Sequence, residues 1–375
     1  MKKILHLCPR NPLKFFAGIE NHITNLAKYF ASNKTGFDYV FFTSSKQPAP
    51  DQTLSGYPLR EFKLDGPSNA YYFSNSMLRA IKKEPADLIH CHGFNNLTSF
   101  SGILAKKKNQ KLVLTLNSAG ASSKFRKLLW GPYIFLFRLL RNRVDKFIAV
   151  SEFEIVHFSK VLGVPKERFV NIPNGADRDL IESINPPKKK GLVVSTGRLV
   201  KNKGFENLVA SFALVLKQRP DARLVIMGDG EEKKALEEQA KELGIADKVE
   251  FTGFIPRDRR KEFLTRLKEA EVFVFLSNYE SLPLNVVEAV TAYMPSVVTM
   301  NSGITEFVDR GEAVGVEDPF NHSSVAEKIV MLLDNPKKFI PKKVATMSWE
   351  EVAAKVLGVY RELLEESPSH STKQN

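Results

Sequence analysis

Short apolar runs alternate with longer amphipathic segments along most of this chain. In the first half, residues 4–7, 39–43, 88–91, 112–116, 147–150 and 169–172 read as strands. Residues 19–30, 76–83 and 153–162 space their apolar positions as helices do. Such alternation predicts a parallel sheet with helices on both faces. The stiff, charged run Asn185-Pro186-Pro187-Lys188-Lys189-Lys190 then reads as a linker. Beyond it the pattern repeats, with strands expected at 192–195, 223–227, 249–252, 272–276, 296–299 and 313–316. A last helix is expected from Trp349 to Glu365, with Val352, Val356, Val359 and Tyr360 on one face. The fold class is therefore α/β: two doubly wound, Rossmann-like domains facing across a cleft at the carboxyl ends of their strands. The expected domains are 1–183 and 192–347, with a linker at 184–191. The last helix is set at 348–366, followed by a polar, disordered tail at 367–375.

One stretch concentrates the candidate chemistry, the run SNYESLPLNVVEAVTAY from Ser277 to Tyr293. It follows a buried strand, and Pro283 sits where a first helical turn tolerates proline. Glu280 is thus expected in a loop at a strand end and Glu288 inside the next helix. At about 1.5 Å per helical residue, the two carboxylates lie roughly 10 Å apart. That is too far to share a proton or a metal ion, but it suits two hydroxyl-bearing groups of one elongated ligand. Between them, free N–H groups and the helix dipole make a seat for a diphosphate. Sugar, diphosphate and ribose in a row describe a sugar nucleotide.

Other strand ends add to this. The run 197–204 offers Arg198 as a fork for phosphate oxygens and Lys203 as a movable charge, between Gly197 and Gly204. Gly228-Asp229-Gly230 reads as a tight strand-to-helix turn. Phe254, after the third strand of the second half, could offer an apolar face to a base. In the first half, Gly18 opens a helix and permits close approach of a phosphate or sugar. His90 and His92 share one side of a strand. With no Cys, Asp or Glu ligand set beside them, a metal site is not expected. One histidine in the core and one near the cleft is the expectation.

Composition narrows the classes. The chain has 375 residues, enough for two full cores, and a formal net charge of +13. Residues 1–183 hold 27 Lys+Arg and 14 Asp+Glu, whereas 184–375 hold 28 of each, so the whole excess lies in the first half. That half is the one expected to meet something anionic. No aromatic-basic RNA-recognition motif or helix-turn-helix signal is present, so no nucleic-acid partner is expected. The two cysteines, Cys8 and Cys91, lie in apolar strands and read as buried free thiols of a reducing compartment. The apolar run at the start is too short for a signal peptide, and nothing approaches a membrane span. A cytoplasmic protein is expected, with peripheral attachment to the membrane face left open. The segment 124–146, KFRKLLWGPYIFLFRLLRNRVDK, sets cations around Trp130, Tyr133, Phe135 and Phe137. It reads either as a helix in the headgroup region of an anionic membrane or as a core face broken at Gly131-Pro132.

Taken together, Gly197-Arg198 with Lys203, Glu280 with Glu288, and Ile172-Pro173-Asn174-Gly175-Ala176-Asp177 resemble the retaining glycosyltransferases of family 4, which have the GT-B fold. The resemblance implies that the second domain binds a UDP- or GDP-sugar. Glu288 would accept from the ribose hydroxyls, and Glu280 would sit against the transferred sugar. Arg198 and Lys203 would clamp the departing diphosphate, aided by backbone N–H groups near Leu282 and Leu284. Gly18 would approach the donor phosphate from the acceptor domain, where His92 and Asn117 would lie. The acceptor would be a glycan or a lipid-linked molecule, with no cofactor and no metal. The last helix would cross back to the first domain. Three runs depart from the family pattern. Glu280-Ser281-Leu282-Pro283 replaces E-G-F-G, Ala17-Gly18 replaces a glycine pair, and Asn117 stands where many members have histidine. Two other readings remain: a nucleotide-sugar epimerase of the same fold, and a non-catalytic polyanion-binding protein.

Overall fold

The computed structural model describes residues 1–15, 17–50, 52–65, 73–118, 120 and 124–365, with backbone alone over 124–129. The chain divides into two compact units, 1–174 with 349–375, and 175–348.

The first unit is built on an eight-stranded sheet. Its strands are β1 (Lys2–Leu7), β2 (Phe37–Ser45), β3 (Gln52–Leu54), β4 (Tyr57–Lys63), β5 (Leu88–His92), β6 (Lys111–Thr115), β7 (Lys146–Ala149) and β8 (Phe169–Asn171). Their order is β3-β4-β2-β1-β5-β6-β7-β8, and all neighbours are parallel except β3 with β4. Central strands such as β5 are buried along their whole length, which is why they read as unbroken apolar runs. The hairpin β3–β4 has no such run; its pattern is half exposed and carries Pro58 near the start of β4. The helix Trp349–Glu365 belongs to this unit and packs on the helix Gly18–Ser32. Its Val352, Val356, Val359 and Tyr360 are buried, as their spacing predicts. Residues 367–375 of the expected tail lie outside the described residues.

The second unit holds a six-stranded, wholly parallel sheet. After a short strand β9 (Gly175–Ala176) come β10 (Leu192–Thr196), β11 (Arg223–Met227), β12 (Val249–Gly253), β13 (Val272–Phe275), β14 (Ser296–Thr299) and β15 (Val314–Val316). The order is β12-β11-β10-β13-β14-β15. A final strand β16 (Met347–Ser348) pairs with β9. The strand order reverses between β10 and β13, the place where ligands of such sheets bind.

The units divide at 174/175, earlier than the expected linker at 184–191. That run is fastened to the second unit. Lys189 N–H donates to Glu269 O at 2.8 Å, Lys188 Nζ to Ala270 O at 2.8 Å, and Gly191 N–H to Glu271 Oε2 at 2.7 Å. Burial pushes the Lys188 ammonium down to about 8.

Candidate functional site

At the reversal point of the second unit, two loops meet. The first follows β10. Gly197 N–H donates to Met227 O at 3.0 Å and Leu199 N–H to Asp229 O at 2.9 Å, so the loop lies against the turn 228–230. A Cβ on Gly228 would fall 1.8 Å from Gly197 O, and one on Gly230 2.3 Å from Leu199 O. Those glycines serve close packing, in line with the turn reading. Leu199 is buried, while Arg198 is exposed and has no carboxylate partner among the described residues. A short turn, Lys201–Lys203, follows. Gly204, at φ +70°, then brings the next helix so close to β13 that a Cβ would meet Leu276 O at 2.1 Å.

This approach delivers Lys203 to the second loop, after β13. Lys203 Nζ forms an ion pair with Glu280 Oε1, and Ser277 Oγ donates to the same oxygen at 2.8 Å. The ammonium also lies 5.5 Å from the centroid of the Phe275 ring. The backbone of Glu280 is fixed on both sides: its N–H donates to Ser302 Oγ at 3.0 Å, and its carbonyl accepts from Gly303 N–H at 3.0 Å.

The helix Leu284–Thr291 starts immediately afterwards, with Pro283 as its N-cap rather than in its first turn. Pro283 O accepts from the N–H groups of Val286 and Val287, both at 3.1 Å. The N–H groups of Leu284 and Asn285 have no intrahelical acceptor. Leu282 is buried just before them. Asn285 Nδ2 donates to Thr196 O at 2.7 Å and so ties the helix start to the end of β10. One turn on, Glu288 pairs with Arg260, whose guanidinium lies 4.9 Å from the centroid of the Phe263 ring. Phe254, beyond β12, is 52 % exposed. The neighbouring ends of β10 and β13 thus carry an exposed guanidinium, an ammonium, the open start of a helix and two carboxylates, a set able to hold an anion between two hydroxyl-bearing groups.

Sequence reading missed Ser277, Asn285 and Arg260. Ser277 stands three residues before Glu280 and could have been noticed. Nothing local marks Arg260, which is 28 residues from its partner on a separate helix.

In the first unit, Gly18 opens the helix Gly18–Ser32 without a side-chain cap, and a Cβ there would meet nothing within 4 Å. Two residues on, Glu20 is held by Arg10 through bonds of 2.8 and 2.7 Å. Asn117 follows β6 in the left-handed region, at φ +45°, and its Nδ2 is buried with no hydrogen-bond partner among the described residues.

His92 departs from expectation. His90 and His92 do share one side of β5, yet both are fully buried, so neither reaches a surface. The register of β1 with β5 sets His6 beside His90. His6 Nδ1 and His92 Nε2 are 3.0 Å apart and share a hydrogen bond. His90 bonds Tyr360 OH at 2.5 Å and Thr115 Oγ1 at 2.7 Å. His22, also buried, bonds Asn174 Oδ1 at 3.3 Å. Burial lowers all four imidazoles, His6 to about 3 and His22 to about 4, so they are neutral at pH 7. Ring nitrogens of His6, His90 and His92 come within 4.8 Å of one another. Both nitrogens of His90 are already bonded within the protein, however, and the group contains no anionic ligand to offset a buried cation. The cluster reads as a hydrogen-bonded core that fastens Tyr360 of the last helix. Cys8 and Cys91 are likewise buried and free.

The helix Lys124–Leu140 is continuous through Gly131-Pro132, where one of the two readings placed a break. Both residues are exposed. Ile134 and Phe137 are buried, while Phe135, Leu136 and Leu139 are 62 %, 49 % and 68 % exposed. Arg138, Arg141 and Arg143 donate to the carbonyls of Val161, Leu162 and Ile103, which leave their charge unneutralised. Lys146 pairs with Glu362. The side chains of Lys124, Arg126 and Lys127 lie outside the described residues. No helix among the described residues is long and apolar enough to cross a membrane.

Two family models match the chain: Glycosyltransferase Family 4 over residues 16–180 and Glycosyl transferases group 1 over 177–345. The chain is 25 % identical over 359 residues to a subunit of the phosphatidylinositol N-acetylglucosaminyltransferase of Arabidopsis thaliana, covering 92 % of this chain and 78 % of the relative. It is 23 % identical over 372 residues to the GDP-mannose:cellobiosyl-diphosphopolyprenol alpha-mannosyltransferase of Xanthomonas oryzae pv. oryzae, covering 92 % and 93 %. The crystal structure of Anabaena Alr3699/HepE in complex with UDP and glucose superposes with a TM-score of 0.72 at 18 % identity, covering 96 % of this chain and 99 % of that one.

Proposed function

Because this chain belongs to the family 4, group 1 glycosyltransferases and has their GT-B fold, we propose that it moves a hexose-type sugar from a UDP- or GDP-sugar to a hydroxyl acceptor, with retention and without a metal ion. The observation that carries this reading is the meeting of Lys203, from the loop that also holds Arg198 after β10, with Glu280, just before the open start of the helix Leu284–Thr291 after β13. The diphosphate would lie over the N–H groups of Leu284 and Asn285, with Arg198 and Lys203 against its oxygens. Glu280 would accept from hydroxyls of the transferred sugar and Glu288 from the ribose, with Phe254 beside the base. The bond between the anomeric carbon and the phosphate oxygen breaks, and its electron pair stays on the diphosphate. The acceptor oxygen bonds to the same face of that carbon and gives its proton to the departing phosphate oxygen. Arg198, Lys203 and the helix start stabilise the charge as it develops, so no side-chain nucleophile or bound metal is needed. Gly18 leaves open space at a helix start in the acceptor unit, and Asn117 brings an amide nitrogen with no partner among the described residues.

The exposed apolar residues Phe135, Leu136 and Leu139, flanked by unneutralised arginines, favour a further step. This helix face would rest in the headgroup region of an anionic membrane, and the acceptor would be lipid-linked. The names of the Arabidopsis and Xanthomonas relatives refer to lipid acceptors, which supports the choice.

The test is a thermal-shift screen of nucleotide sugars on the full chain, followed by transfer assays with and without EDTA. A ligand at 100 times its Kd adds about 2.7 kcal/mol of stability. A shift with one nucleotide-sugar series and acceptor-dependent turnover that survives EDTA is the expected result. Donor turnover to an epimer without acceptor would favour the epimerase. Activity lost on chelation and restored by a divalent ion would reject the metal-free account.

A further inference from the structure

Arg260 has no role in the donor site drawn so far, yet it holds one of its two carboxylates. Its guanidinium binds Oε1 of Glu288 alone, and no described residue bonds Oε2. Arg260 is itself fixed by the Phe263 ring, 4.9 Å from its centroid. The pair is mostly shielded from water, with side-chain exposures of 30 % and 14 %. Arg257 lies close enough for the two cations to repel, and burial together with that repulsion pushes its guanidinium down. Both arginines come from the segment after Phe254, and of the two only Arg260 is bonded to Glu288.

We infer that Arg260 is a positioning residue for the nucleotide ribose, one that orients the Glu288 carboxylate so that its free oxygen meets the ribose diol. A carboxylate has about four lone-pair directions. With one taken by Arg260, Oε2 and the second lone pair of Oε1 remain for two vicinal hydroxyls. A carboxylate on a helix otherwise rotates among several rotamers, and a guanidinium braced on a ring selects one of them. The inference rests on the proposed donor reading and adds to it a residue that the ligand need never touch.

The experiment is calorimetric titration of the full chain with UDP and GDP and with their 2′,3′-dideoxy forms. Arg260→Ala is expected to raise Kd for the better-binding ribonucleotide about 3- to 10-fold, the size of an ordinary net hydrogen bond, since the Glu288 contact is weakened and not removed. Arg260→Lys should recover part of the loss. The dideoxy form should bind Arg260→Ala and the parent alike, since it has no hydroxyl for Glu288 to receive. In an E288A background, Arg260→Ala should add nothing. Equal weakening of the ribose and dideoxy forms would overturn the inference, because Arg260 would then act on the base, the phosphates or the fold. No change in either form, with E288A still impaired, would overturn this inference alone. If E288A binds both nucleotides like the parent, the ribose reading falls with it.

Discussion

Lys203 and Glu280 are bound to each other across two loops 77 residues apart in sequence, and Ser277 shares the same carboxylate oxygen. In the ligand-free chain each neutralises the other. A donor would separate their tasks, drawing the ammonium to phosphate and leaving the carboxylate for a sugar hydroxyl. Lys203→Ala should therefore lower kcat by about 10² or more, because it removes charge stabilisation from the leaving group. Glu280→Gln should keep binding of free UDP or GDP while losing turnover. Calorimetry beside a product assay separates the two effects, and equal loss of nucleotide affinity in both variants would contradict this division.

Two glycines make opposite predictions. Gly204→Ala places a Cβ 2.1 Å from Leu276 O at φ +70°, so it should destabilise the second unit by more than about 1 kcal/mol and displace Lys203. Gly18→Ala meets no atom within 4 Å and should leave stability unchanged. Any loss of turnover in Gly18→Ala then reports contact with a ligand. Urea unfolding with activity on the same samples checks both.

The helix Lys124–Leu140 predicts binding to anionic vesicles at physiological salt. Replacing Phe135, Leu136 and Leu139 with serine should abolish most of it while leaving the core residues Ile134 and Phe137 in place. Replacing Arg138, Arg141 and Arg143 should weaken it by about 1 kcal/mol per charge at most. Co-sedimentation decides the matter: a parent protein that stays in the supernatant with anionic lipid makes a soluble acceptor the better reading.

The buried histidines predict acid lability. His6 and His22 have pKa values of about 3 and 4 in the folded chain, against 6.5 when exposed, and His90 and His92 are also well below 6.5. The unfolded chain therefore binds more protons as pH falls. Stability is fully present above pH 6.5 and drops below it, by up to about 1.4 kcal/mol per pH unit for each histidine until its folded value is reached. Urea midpoints measured between pH 7.5 and 5 should fall steeply. A flat profile would show that the imidazoles are solvated.

Much of this architecture was legible because parallel strands buried on both faces leave unbroken apolar runs, as in 88–91 and 272–276. The hairpin β3–β4 was not, since its half-exposed strands carry no such run. Glu280 and Glu288 could be placed in a loop and a helix because Pro283 marks the helix start. Their partners could not all be found: Lys203 was named for phosphate and in the structure holds Glu280, and Arg260 comes from another helix. His92 was misplaced because period two tells which residues share a side but not what lies over that side. His6 needed the register of β1 with β5, which no local pattern encodes.

The helix Trp349–Glu365 has a consequence for the order of assembly. Its Tyr360 completes the hydrogen bonds of His90, a residue made 270 positions earlier. During synthesis the first unit therefore emerges with a gap in its interior, and His90 lacks one of its two partners while 175–348 is produced. The second unit is contiguous and can close as soon as it leaves the ribosome. The unit begun first is thus finished last, and a chain halted before 349 would carry one complete domain and one open one.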